Sequence, residues 1–177
     1  MNKTHLKIAA NLEQAFTQHG FTELGVDGLK EKAQVSLRTL YKYCPSKEEM
    51  ILLALEHRHQ RYLDFISADK ASRSAPEALN TFWNQVESWL ENEAPNGCLF
   101  HGAVAAHPHN TAMFEMLKRH KMDVIEHVMS TTQLWDQKEA LYVLYEGVLH
   151  SWPVIKKQAI TSAIALSLSL CHASKSP

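Results

Sequence analysis

A short basic segment carries the side chains best suited to recognising another molecule. Residues 30–47 contain five Lys or Arg and one Glu, a net charge of +4, within a 177-residue chain whose formal charge is −1. Arg38 lies inside this segment, and a guanidinium can donate two parallel hydrogen bonds to O6 and N7 of guanine. Hydroxyl, phenol and ammonium groups, here those of Thr39, Tyr41 and Lys42, suit phosphate oxygens. The residue types therefore predict contact with nucleic acid.

Two short helices must position these groups. The residue pattern predicts them over Val26–Ala33 and Leu37–Tyr43, with Ser36 as the N-cap of the second. Helices of two turns are not stable alone, so they must pack on a longer one, predicted upstream and closed by Gly20. Such a pair is a helix-turn-helix, whose second helix places its N-terminal residues in the major groove of DNA.

The sequence from Val35 to Glu49, VSLRTLYKYCPSKEE, resembles the recognition-helix signature of the tetracycline-repressor (TetR) family. That signature runs Val-Ser-x-x-Thr-Leu-Tyr-x-x-Phe and continues with x-Ser-Lys-Glu into a long helix. Upstream, Phe16, Gly20 and Phe21 also stand where that family has an aromatic residue, a glycine and an aromatic residue. The specific resemblance covers residues 4–55.

The resemblance implies a homodimeric transcription regulator, expected to be a ligand-responsive repressor of a palindromic double-stranded DNA operator. It implies a DNA-binding domain over residues 1–47 and a ligand-binding and dimerisation domain over residues 48–177. Tyr43 belongs to the expected DNA-binding set. By position in the motif, the expected base-reading residues are Ser36, Leu37, Arg38 and Lys42, and the expected phosphate-binding residues are Thr39, Tyr41 and Lys47.

Four positions depart from the family pattern and leave a second hypothesis open. Lys30 replaces the usual Ala, Gln34 the usual Gly, Cys44 the usual Phe, and Gly25 the usual capping Ser or Thr. Lys30 and Gln34 lie where the two short helices must pack together. The alternative is a small-molecule-binding or redox-sensing helical protein of repressor ancestry that no longer reads DNA.

The rest of the chain has the apolar spacing of α-helices. Only six Gly and six Pro occur, too few turn residues for a many-stranded sheet. Capping signals at Ser46 and Ser74 begin two helices, a polar loop is expected over residues 67–75, and Pro153 is expected to end the penultimate helix. We predict an all-α chain of nine helices, with a three-helix DNA-binding domain followed by a helical bundle.

The middle helices contain the candidate lining of an effector pocket. Aromatic, aliphatic and Met side chains suit an apolar cavity, so a small apolar or aromatic effector is expected, with a carboxylate as polar anchor. The same stripes equally fit an ordinary core. The candidate residues are Trp83, Val86, Trp89, Phe100, Val104, Met113, Leu117, Tyr142, Tyr145 and the anchor Glu146.

The last two helices have a continuous apolar face, which predicts a homodimer interface between them. Gly147 in the first permits close approach of another backbone. The second offers the small residues Ala159, Ala163, Ala165 and Ser167. The other interpretation of this face is packing within one subunit.

Neither a metal nor a catalytic centre is predicted. No two of the eleven histidines are spaced i, i+4 as a helical zinc pair would be. Only one Glu-x-x-His occurs, Glu56–His59, whereas a di-iron bundle needs two. The sequence shows no Ser-His-Asp order typical of a catalytic triad, no phosphate-binding glycine loop and no carboxylate pair. We therefore expect no enzyme activity and no cofactor.

The three cysteines form no Cys-x-x-Cys pair, which fits a reducing compartment. With no signal peptide and no membrane span evident, a cytoplasmic protein without a membrane partner is expected. Gly97-Cys98 opens a helix, where the helix dipole lowers a thiol pKa. Cys98 is thus a candidate sensing thiol, with a small structural residue as the alternative.

Overall fold

The computed structural model describes residues 2–68 and 74–173, apart from the side chains of 172 and 173. Across these residues it contains nine α-helices, one short 3-10 helix and no β-strand, which confirms the all-α prediction. The predicted loop over residues 67–75 lies largely outside the described residues. The helices are α1 (Lys3–His19), α2 (Val26–Ala33), α3 (Leu37–Tyr43), α4 (Lys47–Ile66), α5 (Ala75–Asn92), α6 (Leu99–Ala106), α7 (Thr111–Thr132), the 3-10 helix (Trp135–Gln137), α8 (Lys138–Ile155) and α9 (Lys157–Ala173).

Local capping hydrogen bonds explain why several helices begin and end where the sequence predicts. Gly20 ends α1 with φ +70°, a left-handed conformation that favours glycine, and its N–H donates to the carbonyl of Phe16 over 2.9 Å. At the start of α3, Ser36 Oγ accepts from the backbone N–H of Thr39 over 3.1 Å. At the start of α5, the Ser74 N–H donates to the Glu77 carboxylate over 2.9 Å.

The prediction that Pro153 ends the penultimate helix is wrong. Pro153 lies inside α8, which continues to Ile155 and ends at Lys156, where φ is +48°. Proline removes one backbone donor from the helix, yet its φ is compatible with the last turn. The break between α8 and α9 therefore comes at Lys156.

The described chain divides into two compact units. The first contains residues 2–62 and 99–120, and the second contains residues 63–98 and the described residues from 121 onward, the gap at 69–73 excepted. The first unit is thus larger than the segment 1–47 that we expect to bind DNA. Its core around α1 to α3 includes Ile8, Leu12, Phe16, Leu29 and Leu40, all almost fully buried.

The second unit is organised around α9, against which α5 and α8 both pack. Trp83 is fully buried, and its indole N–H donates to Ser167 Oγ over 3.0 Å. Ala159 and Ala163 are also buried within this unit. No helix of the described ranges is long and apolar enough to span a membrane.

Candidate nucleic-acid interface

The helix-turn-helix forms because α2 packs against α1 and α3 packs against α2. Leu29 and Ala33 of α2 and Leu40 of α3 are completely buried. Leu40 is the buried residue of α3, so the other side chains of this two-turn helix lie at or near the surface. A helix held by one buried residue of its own can present most of its circumference to a partner.

The turn between α2 and α3 forms although Gln34 stands where the family pattern has glycine. Gln34 adopts the left-handed conformation (φ 56°, ψ 44°), and its N–H donates to the carbonyl of Glu31 over 3.1 Å. This conformation costs a non-glycine residue roughly 1–2 kcal/mol. The departure thus costs some stability but leaves the turn in place.

The other departures are also accommodated. Lys30 is only partly exposed and pairs with Asp27 over 3.6 Å, within its own helix. Gly25 precedes α2 without a side-chain cap. Cys44 is buried, and its burial, with a smaller effect of the Glu49 carboxylate, raises the pKa of the thiol to about 11. Cys44 therefore remains a neutral, apolar member of the core.

The structure places the eight predicted DNA-binding residues together, seven on or directly before α3 and Lys47 at the start of α4. Ser36, Leu37, Arg38, Tyr41 and Lys42 are exposed, whereas Thr39, Tyr43 and Lys47 are partly buried. Arg38 and Lys42 are one helical turn apart, so their charges lie on the same side of α3.

Ser36 and Thr39 are engaged with each other at the start of α3. In addition to the cap, their hydroxyl oxygens lie 2.9 Å apart. A hydroxyl that caps the helix cannot reorient freely toward a base edge. The geometry thus assigns Ser36 a structural role beside its predicted base contact.

Lys47 makes a structural contact that the sequence did not predict. Its Nζ donates to the carbonyl of Leu24, in the loop between α1 and α2, over 2.8 Å. An ammonium has three N–H donors, so two remain for phosphate oxygens. Lys47 therefore ties the start of α4 to the loop before α2.

The start of α1 supports the end of α3, a contact that the sequence also did not predict. Asn2 Nδ2 donates to the Tyr43 hydroxyl over 3.2 Å, and the His5 ring stacks on the Tyr43 ring with centroids 5.2 Å apart. Lys42 Nζ lies 5.9 Å from the same ring centroid. Because the Tyr43 oxygen accepts from Asn2, its own hydroxyl proton remains available to a phosphate.

A buried carboxylate connects α1 to α4. Glu13 is almost fully buried, and its carboxylate accepts from Arg58 over 3.0 Å and from Arg61 over 2.6 Å. His57 Nδ1 lies 2.5 Å from the other oxygen. The only signal in the sequence was a glutamate within the apolar face of α1, beside Leu12 and near Phe16.

Residues 8–54 match the family model described as bacterial regulatory proteins, tetR family. In this N-terminal segment the chain is similar to the TetR family. The match covers α2, α3 and most of α1, together with the start of α4. The family is one of DNA-binding transcriptional regulators, which confirms the coarse prediction made from the motif.

Solved structures resemble this chain over nearly its whole length. A TetR-family transcriptional regulator from Streptomyces coelicolor has a TM-score of 0.79 at 16% identity, with 96% of this chain and 95% of that chain covered. The reduced form of NemR from E. coli has a TM-score of 0.74 at 19% identity, with 94% of this chain and 95% of that chain covered. GusR from Salmonella enterica has a TM-score of 0.70 at 19% identity, with 94% of both chains covered. At these identities the likeness establishes the fold. No curated protein sequence matches the chain.

The predicted pocket residues divide between the two units. Trp83, Val86, Trp89 and Tyr145 are buried in the second unit, where Tyr142 and Glu146 are partly exposed. The remaining four belong to the first unit, with Phe100 and Met113 buried and Val104 and Leu117 partly exposed.

The predicted polar anchor Glu146 has a cationic partner that the sequence did not reveal. Lys121 Nζ lies 2.9 Å from a Glu146 carboxylate oxygen, and the Lys121 side chain is 1% exposed. Tyr142, one turn before Glu146, has its pKa raised above the usual value by burial and, secondarily, by the Glu146 charge. Glu146 is thus one half of an ion pair in the second unit.

Proposed function

We propose that this chain is a TetR-family regulator that represses transcription by binding a palindromic operator as a homodimer, and that a small apolar or aromatic effector releases it. The exposed face of α3 supports this best. Arg38 and Lys42 are exposed on this face, whereas Leu40 is completely buried. The buried leucine holds the helix in place while the two charged side chains can reach base edges, as direct readout requires. We place the DNA-binding domain at residues 1–47.

Within this proposal the side chains of α3 divide into two roles. Arg38, Lys42 and Leu37 reach base edges, with Ser36 limited by its capping bond. Thr39, Tyr41, Tyr43 and Lys47 bind phosphates and set the register of the helix on the duplex. Lys47 and Tyr43 suit this role because the Leu24 carbonyl and Asn2 already hold them.

The exposed faces of α8 and α9 support the dimer. Val143 and Val154 are 67% and 81% exposed on α8, and Gly147 lies on the same stripe with open space around it. On α9, Leu166 is 54% exposed. Exposed apolar residues grouped in this way are typical of protein–protein contacts. Ala159, Ala163 and Ser167 are instead buried inside the subunit, so of the small residues named for α9 only Ala165 is exposed.

Release would follow from differential affinity. A dimer reads two half-sites when its recognition helices are about 34–36 Å apart, and an effector lowers DNA affinity only if it binds better to a dimer with another spacing. Helix α4 contributes residues to both units, so it is the element we expect to transmit the change.

Selection from a random duplex pool tests the DNA-binding part. The wild-type chain is expected to enrich an inverted repeat at low salt, and Arg38→Ala is expected to lose about 1–3 kcal/mol of discrimination at one base pair of each half-site. The matched control is Arg119→Ala, because Arg119 is an exposed arginine of α7 paired with Glu56. Failure to enrich any duplex would favour the alternative of a helical sensor that no longer reads DNA.

Cys98 bears on that alternative. It is a reduced, partly exposed cysteine directly before α6. A redox-sensing function predicts that oxidation or alkylation of Cys98 changes DNA affinity. If Cys98→Ser binds the selected duplex like the wild type, before and after treatment with peroxide, the thiol is structural.

A further inference from the structure

The second unit contains a lysine in surroundings that are costly for a positive charge. Lys121 is 1% exposed. Removing an ammonium from water costs several kcal/mol even after the protein relaxes, and lysine is among the residues least often fully buried. Such a residue must be compensated by its neighbours or serve a function that needs the charge.

The compensation comes from Glu146 and from an aromatic ring. Glu146 Oε1 lies 2.9 Å from Lys121 Nζ, and the Nζ lies 4.9 Å from the centroid of the Tyr145 ring. However, the approach to Glu146 lacks hydrogen-bond geometry, and Nζ has no hydrogen-bond acceptor among the described groups. The two charges are therefore close together, but the N–H donors of the ammonium make no hydrogen bond to the described groups.

The two partners differ in their access to water. The Glu146 side chain is 18% exposed, whereas that of Lys121 is 1% exposed. The carboxylate is thus on the solvent side of the pair. Outward movement of Glu146 would leave an ammonium that requires another anion.

The Tyr145 ring beside the ammonium belongs to a cluster of aromatic rings. The Phe82 ring centroid lies 5.9 Å from that of Tyr145, and Phe82 contacts Trp83 with centroids 5.1 Å apart. These three rings are almost fully buried. A cation next to a cluster of aromatic rings matches a flat apolar ligand with one negative charge.

We propose that Lys121, Tyr145 and Phe82 bind an aromatic carboxylate, whose carboxylate group takes the place of Glu146 beside the Lys121 ammonium. The inference rests on the proposed effector-responsive function and specifies the chemical class of the effector. No bond is made or broken in this exchange. Glu146 moves toward solvent when the ligand enters, and so couples ligand binding to α8, the helix that carries it.

Chemical rescue tests the proposal without DNA, so its failure is separate from a failure of operator binding. In Glu146→Ala the Lys121 ammonium lacks its carboxylate, and this variant is expected to melt at a lower temperature than the wild type. Benzoate is the probe, and benzamide is the neutral control of the same shape. At ten times its Kd, benzoate is expected to raise the Tm of Glu146→Ala by about 3–6 °C, and to bind it about tenfold more tightly than the wild type.

The double variant Lys121→Met/Glu146→Ala removes the charge that the probe would compensate. Benzoate is expected to bind it at least tenfold more weakly than Glu146→Ala by calorimetry. Three results would overturn the proposal: no benzoate shift in either wild type or Glu146→Ala, an equal shift with benzamide, or unchanged benzoate binding in the double variant. If the double variant does not fold, the comparison of benzoate with benzamide in Glu146→Ala decides.

Discussion

The Arg58 guanidinium donates to the Glu13 carboxylate over 3.0 Å, and both side chains are almost fully buried. Arg58 also donates to Thr17 Oγ1 over 3.3 Å. Glu13 and Thr17 belong to α1, and Arg58 belongs to α4. The hydrogen bonds of Arg58 therefore join α1 to α4, the helix that follows the recognition helix α3. A buried, multiply bonded carboxylate at this position fixes the angle between α1 and α4.

Replacement of Glu13 by Gln is therefore expected to destabilise the first unit by about 3–5 kcal/mol, because it leaves the buried Arg58 charge without its carboxylate. Urea unfolding measures the free energy. Glu23→Gln is the control, since Glu23 is 67% exposed in a pair with His19, and it is expected to change stability by less than about 0.5 kcal/mol. Equal effects of the two substitutions would contradict the role of Glu13.

Lys47→Ala is expected to weaken DNA binding uniformly across sequences and to reduce the slope of log K against log salt by about one unit. The reason is the loss of one phosphate contact. Lys118→Ala removes an exposed lysine of α7, 62% accessible, and should leave the slope unchanged. Titrations of a labelled operator at several salt concentrations measure both. A slope unchanged in Lys47→Ala would restrict that residue to its bond with Leu24.

A double-mutant cycle tests whether Asn2 positions Tyr43 for DNA. Tyr43→Phe removes the hydroxyl that accepts from Asn2, and Asn2→Ser keeps an oxygen that can cap α1 but cannot reach Tyr43. If Asn2 acts through Tyr43, the two losses in DNA-binding free energy are non-additive by about 0.5–1 kcal/mol. Additive losses would show that Asn2 affects binding by another route.

Val154→Glu is expected to weaken the homodimer, because it replaces an apolar side chain that is 81% exposed in the single subunit by a charged one. If Val154 is a central contact that contributes more than about 1.4 kcal/mol to the free energy of dimerisation, its loss raises the dimer Kd at least tenfold. Sedimentation velocity over a concentration series measures this. Phe114→Glu, at a 54% exposed residue of α7, is the control. Identical assembly of both variants would exclude Val154 from the interface.

The cysteines are expected to differ in reactivity. The pKa of the Cys44 thiol is raised from 9.0 to about 11, so at pH 8 only about one thousandth of it is thiolate, the form that reacts. Iodoacetamide followed by mass spectrometry should label the partly exposed Cys98 first, and label both at similar rates in urea. Labelling of Cys44 as fast as Cys98 in the folded protein would contradict its burial.

The raised pKa of Cys44 also makes the stability of the folded protein depend on pH. Because the folded pKa lies above the unfolded one, the neutral thiol contributes its full stabilisation below pH 9, and this is lost as the pH rises toward about 11. Cys44→Ala, which cannot ionise, should lose less stability than the wild type between these two pH values. Guanidinium unfolding at pH 8 and pH 11 measures the difference.

Features that depend on neighbours three or four residues away could be predicted from the residue pattern alone. The bounds of α2 and α3 agree with the prediction to the residue, because Ser36 caps its own helix within one turn. Gly20 ends α1 in a conformation that glycine adopts without strain. The recognition motif also lies within one continuous segment, so its residues were found together.

Contacts between side chains of distant segments could not be predicted in this way, because they depend on how the whole chain packs. Lys47 bonds to Leu24, 23 residues away, Asn2 to Tyr43, 41 residues away, and Arg58 to Glu13, 45 residues away. Nothing in the spacing of Lys121 and Glu146 indicated a buried ion pair. Similarly, Ala159, Ala163 and Ser167 suited a dimer contact by size, yet they pack inside the subunit. Periodicity shows that a helix has an apolar face, whereas the partner of that face depends on the packing of the whole chain.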